Sequence, residues 1–386
     1  MVNIDEILTR RVTNIIPNKE KLLELFKSGK KLNVYLGIDP TATRIHIGHA
    51  VALRKLQEFV SLGHNVTFLI GDFTALIGDT SDKDTERPVL TYQQIKENFK
   101  TYKKQASKIL DFSKVTVRFN SSWLSKLKFA EIVKLCQEFS FGEFAGRELI
   151  KKRLNDKKRV GLHEALYPVM QGYDSYHMDT DIQIGGADQT FNMMAGRQLQ
   201  QNLKNKESYV LVTGYLTGTD GRKMSKSWGN AIWLSGSADE IYGKTMSLPD
   251  NLIIEYFENA TNANENKINE VKKALKGGVN PVNIKKELAL ILTTELTNKK
   301  SAIKAKNVFE RSFQKHDPEY NLEIKLQKTL ADTIAPFTNL KSAGDAKRLI
   351  QQGGITINGD CVSDLNYKIK KGDKIKIGKK IFGILV

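Results

Sequence analysis

Between Val34 and Gly78 short apolar runs alternate with one longer amphipathic run, in the order NVYLGID, HAVALRKLQEFVSL, NVTFLIGDF. Leu53, Leu56, Phe59 and Val60 recur at helical spacing, while VYLGI and VTFLI are short apolar stretches bounded by Asn and Gly. The pattern predicts strand, helix, strand, with both strands buried in a parallel sheet that helices cover. Strand candidates at VTVRF, DIQIGG and YVLVTG alternate with helical stretches around 91–111, 128–140 and 189–203, which carries the α/β pattern to about residue 230. The texture then changes. Residues 237–311 hold a capping-box pair, Ser237 with Glu240, a helix start at Asn280-Pro281, and the run VNIKKELALILTTEL, so a helical segment without strands is expected. Residues 318–333 are polar and unpatterned and read as a linker. The last segment reads as a helix, SAGDAKRLIQQG, followed by short strands at GITING, YKIKKGDKIKIG and KIFGILV. The expected division is an α/β domain over 1–234 with inserted connective helices, a helical domain over 235–325 and a small α+β module over 335–386.

Sixty Lys plus Arg against 43 Asp plus Glu leave a net charge of +17, which favours a polyanionic partner, nucleic acid ahead of a membrane surface. Within 341–386 alone, ten Lys plus Arg stand against four Asp. Forty per cent of residues are apolar and 27% charged, which excludes disordered and collagen-like classes. No apolar run approaches the roughly 18 residues of a membrane span. Cys136 and Cys361 are the only cysteines, so neither a disulfide framework nor a cysteine zinc site can be written, and a reducing, cytoplasmic setting is expected. Asp5 and Glu6 lie where a signal or transit peptide has no acids.

Three motifs carry chemistry. His46-Ile47-Gly48-His49 opens the helix after NVYLGI, where free backbone N–H groups and the helix dipole attract phosphate, and Gly48 lets a ligand approach the backbone. A helix cap and a zinc pair are the other uses of HxxH, and no HExxH accompanies it. Lys223-Met224-Ser225-Lys226-Ser227 lies in the Gly-, Thr- and Ser-rich stretch after YVLVTGYL, where two ammonium groups three residues apart can close over a pyrophosphate. Tyr167, Gln171 and Asp174 stand at i, i+4 and i+7, so a helix beginning near Pro168 projects all three into one cavity.

HIGH and KMSKS in this order resemble the two signatures of class I aminoacyl-tRNA synthetases. The runs YLGIDPTATRIHIGH, ALIGDTSDKDTERP, LYPVMQGYDSY and IQIGGADQ, with the KMSKS loop, resemble the ordered motif set of bacterial-type tyrosyl-tRNA synthetases over roughly residues 30–385. The resemblance implies a doubly wound, Rossmann-like catalytic domain that joins tyrosine to tRNA(Tyr) with Mg2+-bound ATP as co-substrate, no tightly bound cofactor and no resident metal. By it, His46, His49, Lys223 and Lys226 stabilise the transition-state phosphates, with Gly48, Asp39 and Thr41 also lining the nucleotide site and Lys83 and Arg87 on a loop near the phosphates. Tyr35 and Asp174, read as an ionised carboxylate, bind the substrate phenol; Tyr167, Gln171 and Asp79 hold its ammonium group, and Gln189 approaches its carboxylate. Asp82 and Asp84 beside Lys83 depart from the family pattern, which commonly has Gly, Ser or basic residues there. The last segment resembles the small RNA-binding module first known from a ribosomal small-subunit protein, with Lys347 and Arg348 facing RNA phosphates. A homodimer and no membrane association are implied. A tryptophanyl-tRNA synthetase, a non-catalytic synthetase-like RNA-binding protein and a small nucleotidylyltransferase are the alternatives.

Overall fold

In a computed structural model of the chain, which describes residues 4–41, 43–79, 90–225, 228–314, 320, 322–338, 341–378 and 381–386, the expected sheet is present with one added strand. Its strands are β1 (Val12–Ile16), β2 (Asn33–Ile38), β3 (Asn65–Ile70), β4 (Thr116–Phe119), β5 (Ile182–Gly186) and β6 (Tyr209–Thr213), in the order β1-β6-β5-β2-β3-β4. β2 to β6 are parallel. β1 pairs antiparallel with β6, so the sheet is mixed where a wholly parallel one was expected. Only Ile15 of β1 is buried, which explains why this edge strand lacks the apolar run of the others.

The strand order reverses between β2 and β5, and the crevice at their carboxyl ends is where open α/β sheets take ligands. Two helices frame it. Ile47–Ser61 follows β2 and buries Val51, Leu53, Leu56, Phe59 and Val60 on the sheet. The other is Leu162–His177, six residues longer at its start than a beginning at Pro168 allows. Pro168 lies inside this helix, and the true start is set by Glu164, whose carboxylate accepts the Gly161 N–H at 2.8 Å. The same carboxylate pairs with the Arg153 guanidinium through two bonds of 2.6 and 2.9 Å, both side chains being buried.

The helical segment packs as part of the catalytic body. Contacts divide the chain into residues 1–302 and 303–386. The helices Ala238–Met246, Ile253–Ala260 and Pro281–Leu296 place Ile241, Tyr256, Phe257, Leu288 and Leu292 in the same continuous core as Leu53 and Phe59. Polar groups add to this union. Arg10 donates to the carbonyls of Phe257, Glu258 and Thr261, which the C-terminal end of the helix Ile253–Ala260 leaves without intrahelical partners, and to that of Ala263 just beyond it. Arg54, on the helix that His46 opens, pairs with Glu295 at 2.7 Å and donates to Asn262 at 2.6 Å.

The second unit holds a five-stranded sheet, β7 (Leu322–Ile324), β8 (Ile355–Ile357), β9 (Asp360–Val362), β10 (Lys374–Ile377) and β11 (Ile381–Leu385), in the order β7-β11-β10-β8-β9. The helix Ala343–Gln351 precedes the β8–β9 hairpin, as expected. The linker expected over 318–333 is instead structural: β7 pairs parallel with β11, and Leu330 and Ile334 sit in the core of this unit. A three-residue edge strand with two exposed positions leaves too short a pattern to read. No helix among the described residues is long and apolar enough to cross a membrane.

Because Glu164 neutralises a buried guanidinium and also fixes a helix start, Glu164→Ala is expected to destabilise the protein by about 3–5 kcal/mol, the usual cost of stranding one member of a buried ion pair. Urea unfolding midpoints of the two proteins check this, and a change below about 1 kcal/mol contradicts it.

Candidate active site

His46 is the N-cap of the helix Ile47–Ser61, and its backbone N–H donates to His49 Nδ1 at 3.4 Å. The two imidazoles lie 4.0 Å apart, with the His46 ring also against Trp233 at 5.9 Å. Burial, then the neighbouring His49 and Lys223, depress the His46 pKa to about 2, so this ring is neutral at working pH and acts as a dipole rather than a charge. Its Nδ1 is buried without a hydrogen-bond partner among the described residues. Gly48 serves that ring as well as any ligand: a Cβ at Gly48 would stand 2.9 Å from His46 Nδ1.

A continuous polar chain runs from Tyr167 and Asp39 to the deep end of the crevice. Tyr167 donates its phenolic hydrogen to Asp39 Oδ2 at 3.0 Å, and Thr74 donates to Asp39 Oδ1 at 2.8 Å. Asn120 Nδ2 lies 3.0 Å from Thr74 Oγ1 and 3.0 Å from Asp174 Oδ2, donating to both. Trp123 Nε1 donates to Asp174 Oδ1 at 2.7 Å. A Cβ at Gly71 would stand 2.0 Å from Asp39 Oδ1, so the chain needs glycine there. Tyr35, beside Asp174, donates to Gln183 Oε1 at 3.1 Å, and burial pushes its phenol well above the usual range.

Asp174 is fully buried, and burial raises its pKa to about 8 although the Asn120 and Trp123 bonds oppose the rise; Asp39 and Asp72 add to it. The sequence led to an ionised carboxylate; burial works against that charge, and the two donors offset the desolvation only in part. Asp79 and Gln189 also meet each other, with Gln189 Nε2 donating to Asp79 Oδ2 at 2.7 Å, and Asn192 lies against the same carboxylate at 3.5 Å.

The stretch after β6 is organised by Asn230, whose amide accepts the Ser225 N–H at 2.9 Å and donates to Asp220 Oδ1 at 2.7 Å and to the Lys223 carbonyl at 3.2 Å. Lys223 Nζ sits 4.0 Å from the centre of the Tyr215 ring. A cavity of 1100 Å³ is lined together by Tyr35, Asp39, Thr41, His46, Gly48, His49, Asp79, Tyr167, Gln171, Asp174, Gln189 and Lys223. Lys83, Arg87 and Lys226 lie outside the described residues. Asn120, Trp123, Thr74 and Asn230 were not singled out from the sequence; Asn230 alone left a signal, as a polar residue directly after the basic loop. In the second unit, Lys347 and Arg348 are both exposed on the helix Ala343–Gln351.

Comparison with known proteins accords with this arrangement. Residues 27–314 match the family of class I tRNA synthetases for W and Y, and residues 339–375 match the S4 domain. The tyrosine–tRNA ligase of Carboxydothermus hydrogenoformans is 40% identical over 98% of this chain and 96% of its own length. The tyrosine–tRNA ligase 2 of Clostridium acetobutylicum is 41% identical over 98% of each. Among solved structures, the tyrosyl-tRNA synthetase of Archaeoglobus fulgidus in complex with L-tyrosine shares the fold, with a TM-score of 0.62 at 22% identity over 78% of this chain and 98% of that one. With both signatures in its sequence and with these family and relative matches along nearly its whole length, the chain belongs to the tyrosine–tRNA ligase family of class I aminoacyl-tRNA synthetases.

Proposed function

We propose that this chain charges tRNA(Tyr) with tyrosine in two steps, both in the cavity at the β2–β5 crevice. The observation that carries the reading is that one cavity collects the two HIGH histidines, a KMSKS lysine and a deep carboxyl group flanked by a tyrosine. In the first step a tyrosine carboxylate oxygen attacks the α-phosphorus of Mg2+-bound ATP; the P–O bond to pyrophosphate breaks, leaving tyrosyl-adenylate. In the second, the terminal ribose hydroxyl of the tRNA attacks the acyl carbon and AMP leaves. No side chain becomes covalently attached.

The histidine pair and the N–H groups of their helix stabilise charge on the α-phosphate, with Asp39, Thr41 and Gly48 beside the nucleotide. Lys223 and Lys226 meet the departing pyrophosphate, and Lys83 and Arg87 are assigned to the same phosphates. Tyr167, Gln171 and Asp79 take the substrate ammonium, Gln189 its carboxylate. At the deep end Tyr35 and Asp174 receive the phenolic hydroxyl. Phenylalanine brings only a C–H to that point and leaves buried polar atoms unpaired, which is the basis for rejecting it. Lys347 and Arg348, exposed on the module helix, are assigned to tRNA phosphates. A homodimer is proposed from a set of exposed apolar side chains, Phe129, Phe141 and Leu162, each more than 60% exposed in the single chain. The two free cysteines suit a cytoplasmic setting.

Tyrosine-dependent exchange of pyrophosphate into ATP tests the whole reading. Exchange with tyrosine and none with phenylalanine or tryptophan is the expected result, and exchange supported by tryptophan instead overturns it.

Three further outcomes follow from the site. Lys223→Ala is expected to slow adenylate formation by on the order of 10² with little change in tyrosine binding, since its contact strengthens as pyrophosphate separates; single-turnover activation measures it. For Asp174, the folded pKa of about 8 lies above the ordinary value of 3.8. The native state then keeps a proton that the unfolded chain releases, so this group's contribution is full below about pH 4 and is lost as pH rises through 8. Melting temperatures between pH 6 and 9 are expected to fall more steeply in the unliganded wild type than in Asp174→Asn. Removing both Lys347 and Arg348 charges by substitution with Ala is expected to weaken tRNA binding and to flatten its dependence on salt by about one to two in logarithmic slope, with tyrosine activation intact. Equal slopes in filter-binding assays contradict the RNA assignment.

A further inference from the structure

Tyr215 lies just beyond β6, facing the cavity between the HIGH helix and the turn that ends β5, and neither motif contains it. Two of its contacts bear on Lys223. Its hydroxyl donates to Asp188 Oδ1 at 3.3 Å, anchoring the ring to the turn that carries Gln189, and the face of the ring lies 4.0 Å from Lys223 Nζ. Lys223 is thus held at both ends: its carbonyl accepts from the buried amide of Asn230 at 3.2 Å, and its ammonium rests on an aromatic face. The ammonium is also close enough to His46 to help depress the pKa of that ring.

A lysine has four rotatable side-chain bonds, and an exposed one is spread over many rotamers that must be surrendered when a phosphate arrives. An aromatic face attracts the cation without neutralising it, unlike a carboxylate, so its charge stays available to an incoming anion. We propose that Tyr215 is a positioning residue for adenylate formation: its ring presets the Lys223 ammonium at the pyrophosphate side of the cavity before ATP binds. The inference rests on the tyrosine–tRNA ligase reading and adds the source of order in the KMSKS lysine. The contribution is electrostatic and entropic, so it acts on ATP rather than on the amino acid.

Tyr215 is 46% exposed, so its replacement leaves no buried cavity, and circular dichroism of each variant checks the fold. In tyrosine-dependent pyrophosphate exchange, Tyr215→Leu is expected to lower kcat/KM for ATP about two- to fivefold, the change equivalent to the usual attraction of an exposed cation to a ring. KM for tyrosine is expected to stay unchanged, and Tyr215→Phe, which keeps the ring, to recover most of the loss. The deciding measurement repeats Tyr215→Leu in a Lys223→Met background, where the effect is expected to vanish because the two side chains act as one unit. A loss of equal size in both backgrounds, or no loss with Leu, overturns the proposal; a Phe variant as impaired as Leu also overturns it, by giving the role to the hydroxyl. If the wild-type chain itself supports no tyrosine-dependent exchange, it is the underlying functional reading that fails.

Discussion

A buried carboxyl group must be repaid in hydrogen bonds or give up its charge, and the architecture around the crevice is organised by that requirement. Asp174 receives Asn120 and Trp123; Asn120 reaches on to Thr74, Thr74 to Asp39, and Asp39 to Tyr167. Asp39 directly follows β2, Thr74 opens the short helix Thr74–Ile77 after β3, Asn120 directly follows β4, Trp123 lies in the short helix Ser121–Leu124, and Tyr167 and Asp174 stand on the helix Leu162–His177. The chain of bonds therefore ties the carboxyl ends of β2, β3 and β4 to the helix Leu162–His177. Burial still raises the Asp174 pKa although its two donors oppose the rise.

What the sequence made legible divides along a physical line. Tyr167, Gln171 and Asp174 were readable because helical spacing places them on one face whatever the helix packs against. The strands β2, β3, β5 and β6 were readable because burial on both faces demands apolar runs. The start of the helix Leu162–His177 was not, since Pro168 usually marks a first turn and the actual determinant is the Glu164 pair with Arg153, a contact formed across a loop. Asn120 and Trp123 gave no signal because they follow β4 without periodic neighbours, and their meaning comes only from meeting a carboxyl about 50 positions away. β1 and β7 escaped for a shared reason: edge strands with one buried residue carry almost no pattern.

The division of the chain illustrates the same limit. Texture separates a helical segment at about residue 235, and its helices are real, yet Tyr256, Phe257 and Leu288 complete the core that begins with the sheet. Arg10 and Arg54 add polar ties from the α/β part to the C-terminal end of the helix Ile253–Ala260 and to Glu295. Amphipathic helices announce that they need a partner surface, but not which surface. Two stretches of contrasting texture can therefore form one body.

Gly71 gives the crowded centre of this arrangement a meaning in inheritance. With Asp39 Oδ1 2.0 Å and Thr74 Oγ1 2.3 Å from where a Cβ would stand, position 71 tolerates one amino acid among twenty for as long as the polar chain persists. Descendants of this sequence can drift freely on the outer helices. A lineage in which this glycine changes has to rebuild Asp39, Thr74 and the bonds they carry at the same time.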